Sequence, residues 1–153
     1  MNIAIVGATG NVGRKTLEVL EKKELSIDKL YLVASSKSAG KKISFKGKEH
    51  EVFDLENFDF SKVKIAFFAA GGKISEKFAE KAAKHCLVID NSSFYRMDPD
   101  VPLIVPQVNS NHLDQIKKNI IANPNCSTAQ LVIALKPLHD LFVIKRIVVS
   151  TYQ

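Results

Sequence analysis

The chain has 153 residues, of which 46% are hydrophobic and 25% charged, and a formal net charge of +6. That balance excludes a disordered chain and supports one globular domain with a sizeable core. No apolar run approaches the ~18 residues of a membrane span. The lysines are scattered without the interleaved aromatics of a single-strand nucleic-acid binder, although the positive field still favours small anions such as phosphates.

The start, MNIAIVGATG, has neither the basic flank nor the small-residue cleavage site of a signal peptide. Two cysteines, Cys86 and Cys126, match no metal-ligand spacing and no disulfide framework. No metal is therefore expected, and a reducing cytoplasm is the expected compartment.

In chain order, residues 2–7 (NIAIVG) form an apolar run ending in glycine and predict a buried strand. Residues 11–24 follow as an amphipathic helix with Val12, Leu17 and Leu20 on or near one face. Residues 29–35 predict a second strand, and the polar, glycine-punctuated stretch after it a loop and a hairpin. Residues 64–72 predict another strand. A helix over 74–84 follows, with Ser75 as N-cap and Glu80 paired to Lys84. Cys86 opens the next strand, 86–90, where an inert buried thiol is expected. Residues 91–109 carry three prolines and little periodicity, so they predict a long connection. A short helix over 110–118, a strand over 119–123 and a helix over 127–141 come next. Pro137 should kink or shorten that helix, and a last strand is expected over 143–153.

Strands alternating with helices imply an α/β fold with a doubly wound, mostly parallel sheet of the Rossmann-like dinucleotide-binding kind. Ligands of such sheets sit beyond the carboxyl ends of the strands. The unusual segments at 7–13, 35–38, 69–72, 91–96 and 123–126 all follow strands, so they should gather on one edge.

The first of them, GATGNVG, lies between a strand and a helix. Gly7 permits the turn, Gly10 lets the backbone approach a pyrophosphate, and Gly13 lets helix pack on strand. A preference for NAD would show as an acid after the second strand, where this chain has Ala34, Ser35, Ser36, Lys37 and Ser38. Hydroxyls and a cation there suit a 2′-phosphate and favour NADP. An ordinary polar turn would have the same composition.

NPNCST places Cys126 at the start of a helix, where orphan N–H groups and the helix dipole would stabilise a thiolate. Asn123 and Asn125 could supply amide donors to an oxyanion. A small residue at a helix cap would look the same. A nucleophile beside a nicotinamide site suggests aldehyde oxidation through a thioester, or its reverse. Arg96, in an irregular loop, suits a carboxylate or phosphate.

With these residues in view, the chain resembles the aspartate-β-semialdehyde dehydrogenases along essentially its whole length. The segments that carry the resemblance are GATGNVG, ASSKSAGKK, FFAAGG, DNSSFYRMDPDVPLIVPQVN, IIANPNCSTAQLVIALKPLHD and KRIVVSTYQ. It implies NADP-dependent interconversion of L-aspartyl 4-phosphate and L-aspartate 4-semialdehyde, on the way to lysine, diaminopimelate, methionine and threonine. By that similarity Cys126 matches the nucleophile that carries the acyl thioester. Gln153 matches the glutamine that orients the substrate, Arg96 the arginine that binds phosphate, and Asn125 lines the same pocket. Thr9, Gly10, Asn11 and Val12 match the pyrophosphate loop. Ser35, Lys37 and Ser38 match the 2′-phosphate site, where many relatives carry arginine in place of Lys37. Lysine keeps the charge and loses the bidentate geometry.

Members of that family are roughly twice as long. Their second domain, inserted after the strand that ends at Gln153, supplies a histidine acid/base, further basic residues and most of the interface of a homo-oligomer. None of His50, His85, His112 and His139 matches that histidine. Residues 1–153 are thus expected to be an NADP-binding domain that carries the thiol and stops before the substrate and dimerisation domain. Such a chain should be inactive alone, expose apolar surface and self-associate. Two other readings remain at this level. One is an N-acyl-glutamyl-phosphate reductase-like enzyme, whose thiol typically sits in a GCYPT-like motif. The other is a non-catalytic nucleotide-binding module.

Overall fold

A computed structural model describes residues 1–152, and Gln153, which the resemblance assigns to substrate orientation, lies outside the described residues. Among the described residues seven strands form one sheet: β1 (Asn2–Val6), β2 (Lys29–Ala34), β3 (Lys42–Phe45), β4 (Lys48–Asp54), β5 (Ile65–Phe68), β6 (Leu87–Asp90) and β7 (Ile120–Ala122). Their spatial order is β3-β4-β2-β1-β5-β6-β7. Each neighbouring pair is parallel except the hairpin β3–β4, which turns through Lys46 and Gly47, both at positive φ. With the hairpin strand β3 set aside, the chain winds outward from β1 through β2 to β4. It then returns beside β1 at β5 and winds the other way. That is the doubly wound order expected from the sequence, with its switch point beside β1.

Period-two alternation divides the strand side chains between two cores. Ile3, Ile5, Leu32 and Val52 face α1 (Asn11–Lys22), which buries Gly13, Leu17 and Leu20. Ala4, Val6, Phe68 and Val88 face α2 (Gly72–Ala83), which buries Phe78, Ala79 and Ala82. Truncating a side chain as enclosed as Phe68 would cost ~3–5 kcal/mol. The expected stripe on α1 needs one correction. Gly13, not Val12, completes it at spacing four and three, and Val12 is 47% exposed.

Other local expectations also change. Gly71, at φ +86°, caps α2, and the helix starts two residues before its expected position. Ser75 is buried inside the helix, where its hydroxyl donates to Asp90 Oδ1 at 2.6 Å. That buried carboxylate gives the serine a stronger partner than an orphan N–H would. Glu80 and Lys84 do not appear among the ion pairs of the described residues. The connection at 91–109 is well packed: Tyr95, Val101, Ile104 and Val105 are buried, and Leu103 bridges to Ala122 of β7. It contains a one-turn helix α3 (Pro106–Asn109), and the helix expected over 110–118 is a 3-10 turn, Ser110–Gln115.

The helix α4 (Cys126–Phe142) runs through Pro137 and ends with Val143 in the left-handed region. Pro137 has no N–H to give the carbonyl of Ile133, so the helix continues with one fewer bond. No residue of α4 is buried, and Leu141 and Phe142 are each 75% exposed. Beyond it the expected strand does not form among the described residues. Residues 143–152 are rich in β-branched side chains, but a strand exists only by pairing, and no described strand pairs with them.

Candidate active site

The parallel strands end together, so the five segments singled out in the sequence share the carboxyl edge of the sheet. The turn after β1 depends on glycine at two positions. At Gly7 the backbone has φ +86°, and a Cβ would stand 2.7 Å from the carbonyl oxygen of Ala69. At Gly13 a Cβ would stand 2.2 Å from the oxygen of Gly7. Gly10 is different: it is exposed, and a Cβ would meet only the oxygen of Gly7 at 3.4 Å. Gly10 is also the N-cap of the 12-residue α1, with no side-chain cap. An anion can therefore approach the first N–H groups of the helix, which have no intrahelical partner.

A cavity of about 430 Å³ opens beside this turn. Gly7, Thr9 and Gly10 line one side, Ser35 and Ser36 a second, and Ala69, Ala70, Ile74 and Phe78 a third. Lys37 and Ser38 belong to the same 3-10 turn, Ser36–Ser38, but lie outside the cavity wall. The last wall, Asp54, Leu55 and Glu56, was missed by sequence reasoning. Only the pairing of strands brings them there. The second strand of the hairpin continues alongside β2, in a register that pairs Ala34 with Asp54.

A second cavity of about 690 Å³ lies on the other side of the turn. Asn11, Val12, Lys15 and Thr16 of α1 line it together with Asn91, Asn123 and Cys126, and Ala69 borders both cavities. The glycine turn thus stands between the first cavity and the thiol.

Cys126 is exposed and is the first residue of α4. It is not the cap: Asn125 takes that place, because its Oδ1 accepts from the N–H of Ser127 at 3.1 Å. The same oxygen accepts from the Ser127 hydroxyl at 3.1 Å and from the Cys126 thiol at 3.4 Å. Asn125 therefore orients the sulfur. The amide of Asn123 donates to Asn91 Oδ1 and so joins the loops after β6 and β7.

Arg96 reinforces that joint. Its Nε donates to the carbonyl of Asn123 at 3.0 Å and its Nη2 to the carbonyl of Asn91 at 3.2 Å. The guanidinium carries five N–H donors, so others remain for an anion. Beneath the loop, Asp90 is fully buried and accepts from the Ser75 hydroxyl, the Ser92 hydroxyl and the Ser92 N–H. Those bonds pin the start of the Arg96 loop to α2. Sequence reasoning missed the roles of Asp90, read as the last residue of a strand, and Asn91, read as the first of the long connection.

None of the four histidines lines either cavity. His139 lies thirteen residues along α4 from the thiol, ~20 Å at the rise of a helix. Among the described residues no group of three His, Cys, Asp or Glu side chains could hold a metal ion, and no helix is long and apolar enough to cross a membrane.

A doubly wound sheet with a glycine turn at its switch point defines a dinucleotide-binding domain. Residues 2–116 match the family model described as semialdehyde dehydrogenase, NAD binding domain, and the chain belongs to that family. It is 56% identical to the aspartate-semialdehyde dehydrogenase of Aquifex aeolicus, over 99% of this chain and 45% of that protein. Aspartate semialdehyde dehydrogenase II of Vibrio cholerae, solved in complex with ASA, superposes with a TM-score of 0.88 at 51% identity, over 91% of this chain and 46% of that one. The enzyme of Candida albicans, solved with NADP, gives 0.77 at 31% identity, over 93% and 48%. The chain thus spans about half the length of the curated relatives it matches.

Proposed function

We propose that these residues form the cofactor and nucleophile half of an NADP-dependent, phosphorylating aspartate-semialdehyde dehydrogenase acting in the cytoplasm. The observation that carries the reading is the position of Cys126. It stands at the first residue of a helix, in a cavity walled by Asn11 and Val12 of the phosphate turn. Residues 7–13, with Ser35 and Ser36, would hold the dinucleotide, which when bound supplies or accepts hydride. The exposed Cys126 sulfur would attack the acyl carbon of aspartyl phosphate, release phosphate and hold the acyl group as a thioester. Asn125 orients that sulfur. Arg96, already bridging the two loops, offers its remaining donors to the phosphate. Lys37, outside the wall, would reach a 2′-phosphate only by turning inward. The names of the relatives favour the aspartyl substrate over an N-acyl-glutamyl one.

Taken alone, the 153 residues should bind dinucleotide and not turn over, because no described histidine faces Cys126 to move the proton. The exposed apolar residues of α4 should also make the chain self-associate. Titration with NADPH by fluorescence, an assay with aspartyl phosphate, and sedimentation at rising concentration test this. Binding without product, in an associating chain, is the expected result. Turnover by the chain alone would overturn the role given to a histidine elsewhere, and absence of binding would overturn the whole reading.

A further inference from the structure

An acid that selects NAD normally stands at the end of the strand next to the glycine turn, and this chain has Ala34, Ser35 and Ser36 there. The fold delivers acids from one strand further out. Register pairs Ala34 with Asp54, and Asp54 and Glu56 line the same nucleotide cavity as the serines, on the neighbouring strand's side. The two carboxylates differ in their commitments. Asp54 caps the 3-10 turn Leu55–Asn57, accepting from the Glu56 N–H at 3.2 Å and the Asn57 amide at 3.4 Å. Glu56 Oε1 instead reaches across to α2 and pairs with Lys77 Nζ at 2.6 Å. That ammonium also lies 4.8 Å from the ring centroid of Phe78, another residue of the cavity wall. Glu56 and Lys77 are each more than half exposed, at 58% and 54%, so the pair spans the rim and is loosely held.

We propose that Glu56 is a specificity-determining residue for the cofactor. Its carboxylate disfavours a 2′-phosphate on the adenosine ribose, and Lys77 partly neutralises it. The proposal rests on the cavity being the dinucleotide site. The serine and lysine turn after β2 attracts a 2′-phosphate while Glu56 opposes it, so the site accepts both dinucleotides with a modest preference for the phosphorylated one.

NADPH and NADH are titrated separately into the unaltered chain, Glu56→Gln and Lys77→Met, at low and at high salt. Glu56→Gln should raise the ratio of NADPH to NADH affinity about three- to tenfold at low salt. Lys77→Met should lower the ratio by a similar factor, and both changes should shrink at high salt. Both side chains are exposed, so neither variant threatens the fold. An unchanged ratio, or an equal change for both dinucleotides as a merely structural role would give, overturns the proposal and leaves the cofactor site standing. Failure of the unaltered chain to bind either dinucleotide overturns both.

Discussion

The two thiols of this chain sit at opposite ends of neighbouring strands and differ in almost every physical respect. Cys86 enters β6 from the amino edge of the sheet. It is 6% exposed, and its sulfur donates to the carbonyl of Ala82 at the end of α2. Cys126 leaves β7 at the carboxyl edge, exposed, with its thiol turned to the side chain that caps the next helix. The edge decides the difference. At the amino edge the connection from α2 to β6 is short and closes over its residues. At the carboxyl edge the chain must climb out to a helix start, which leaves N–H groups and side chains facing outward.

Alkylation puts the largest number on that contrast. Iodoacetamide added to the folded chain near neutral pH should modify Cys126 readily and Cys86 only through unfolding. Their rates should differ by a factor on the order of a thousand or more for a domain of ordinary stability. Peptide mass spectrometry reads both sites in one sample. Comparable rates would mean that the amino edge opens locally and that the contrast is not one of burial.

The openness of the carboxyl edge itself depends on glycine packing, and two alanine variants separate packing from access. Gly13→Ala forces a Cβ against the Gly7 carbonyl and should cost about 3 kcal/mol, visible as an earlier denaturant midpoint. Gly10→Ala meets nothing closer than 3.4 Å and should cost only ~0.5–1 kcal/mol as a helix cap. It should nonetheless weaken dinucleotide binding several-fold, because its methyl group stands where a pyrophosphate must approach. Equal destabilisation by the two variants would remove the distinction.

The carboxyl edge was also where the sequence was most legible and, in its details, least complete. Strand runs and the glycine turn are local patterns, so the doubly wound order and the gathering of five segments could be read directly. Cys126 stood out because Asn-Pro-Asn cannot continue a strand. Asp54 and Glu56 escaped notice because their role depends on which strand β4 lies beside, a pairing that no local pattern specifies. Asp90 and Asn91 escaped for the same reason: their partners are Ser75 and Asn123, at separations of 15 and 32 residues. The strand expected over 143–153 failed in the opposite sense, with β-branched residues in place and no described strand to pair with.

The smallest effect isolates the buried thiol by pH. An ordinary cysteine ionises near 9.0, and burial pushes Cys86 up to about 11. The folded value is the raised one, so the unfolded chain loses this proton first. Below pH 9 both states keep it, and the stability from holding a neutral thiol is fully present. Between pH 9 and about 11 only the unfolded chain ionises, so stability falls with a slope approaching ~1.4 kcal/mol per pH unit, and above that window the loss is complete. Lysine titration adds its own slope in the same range, so the measurement has to be a difference. Urea unfolding of Cys86→Ala against its parent, both in a Cys126→Ser background, supplies one. At neutral pH the variant should be the less stable by ~1 kcal/mol for its lost packing and sulfur hydrogen bond. From pH 9 upward the gap should close and then reverse, because only the parent has a thiol to ionise on unfolding. A gap that stays constant from pH 8 to 11 would place the Cys86 thiol in contact with water, and the two edges of the sheet would no longer account for the difference between the two cysteines.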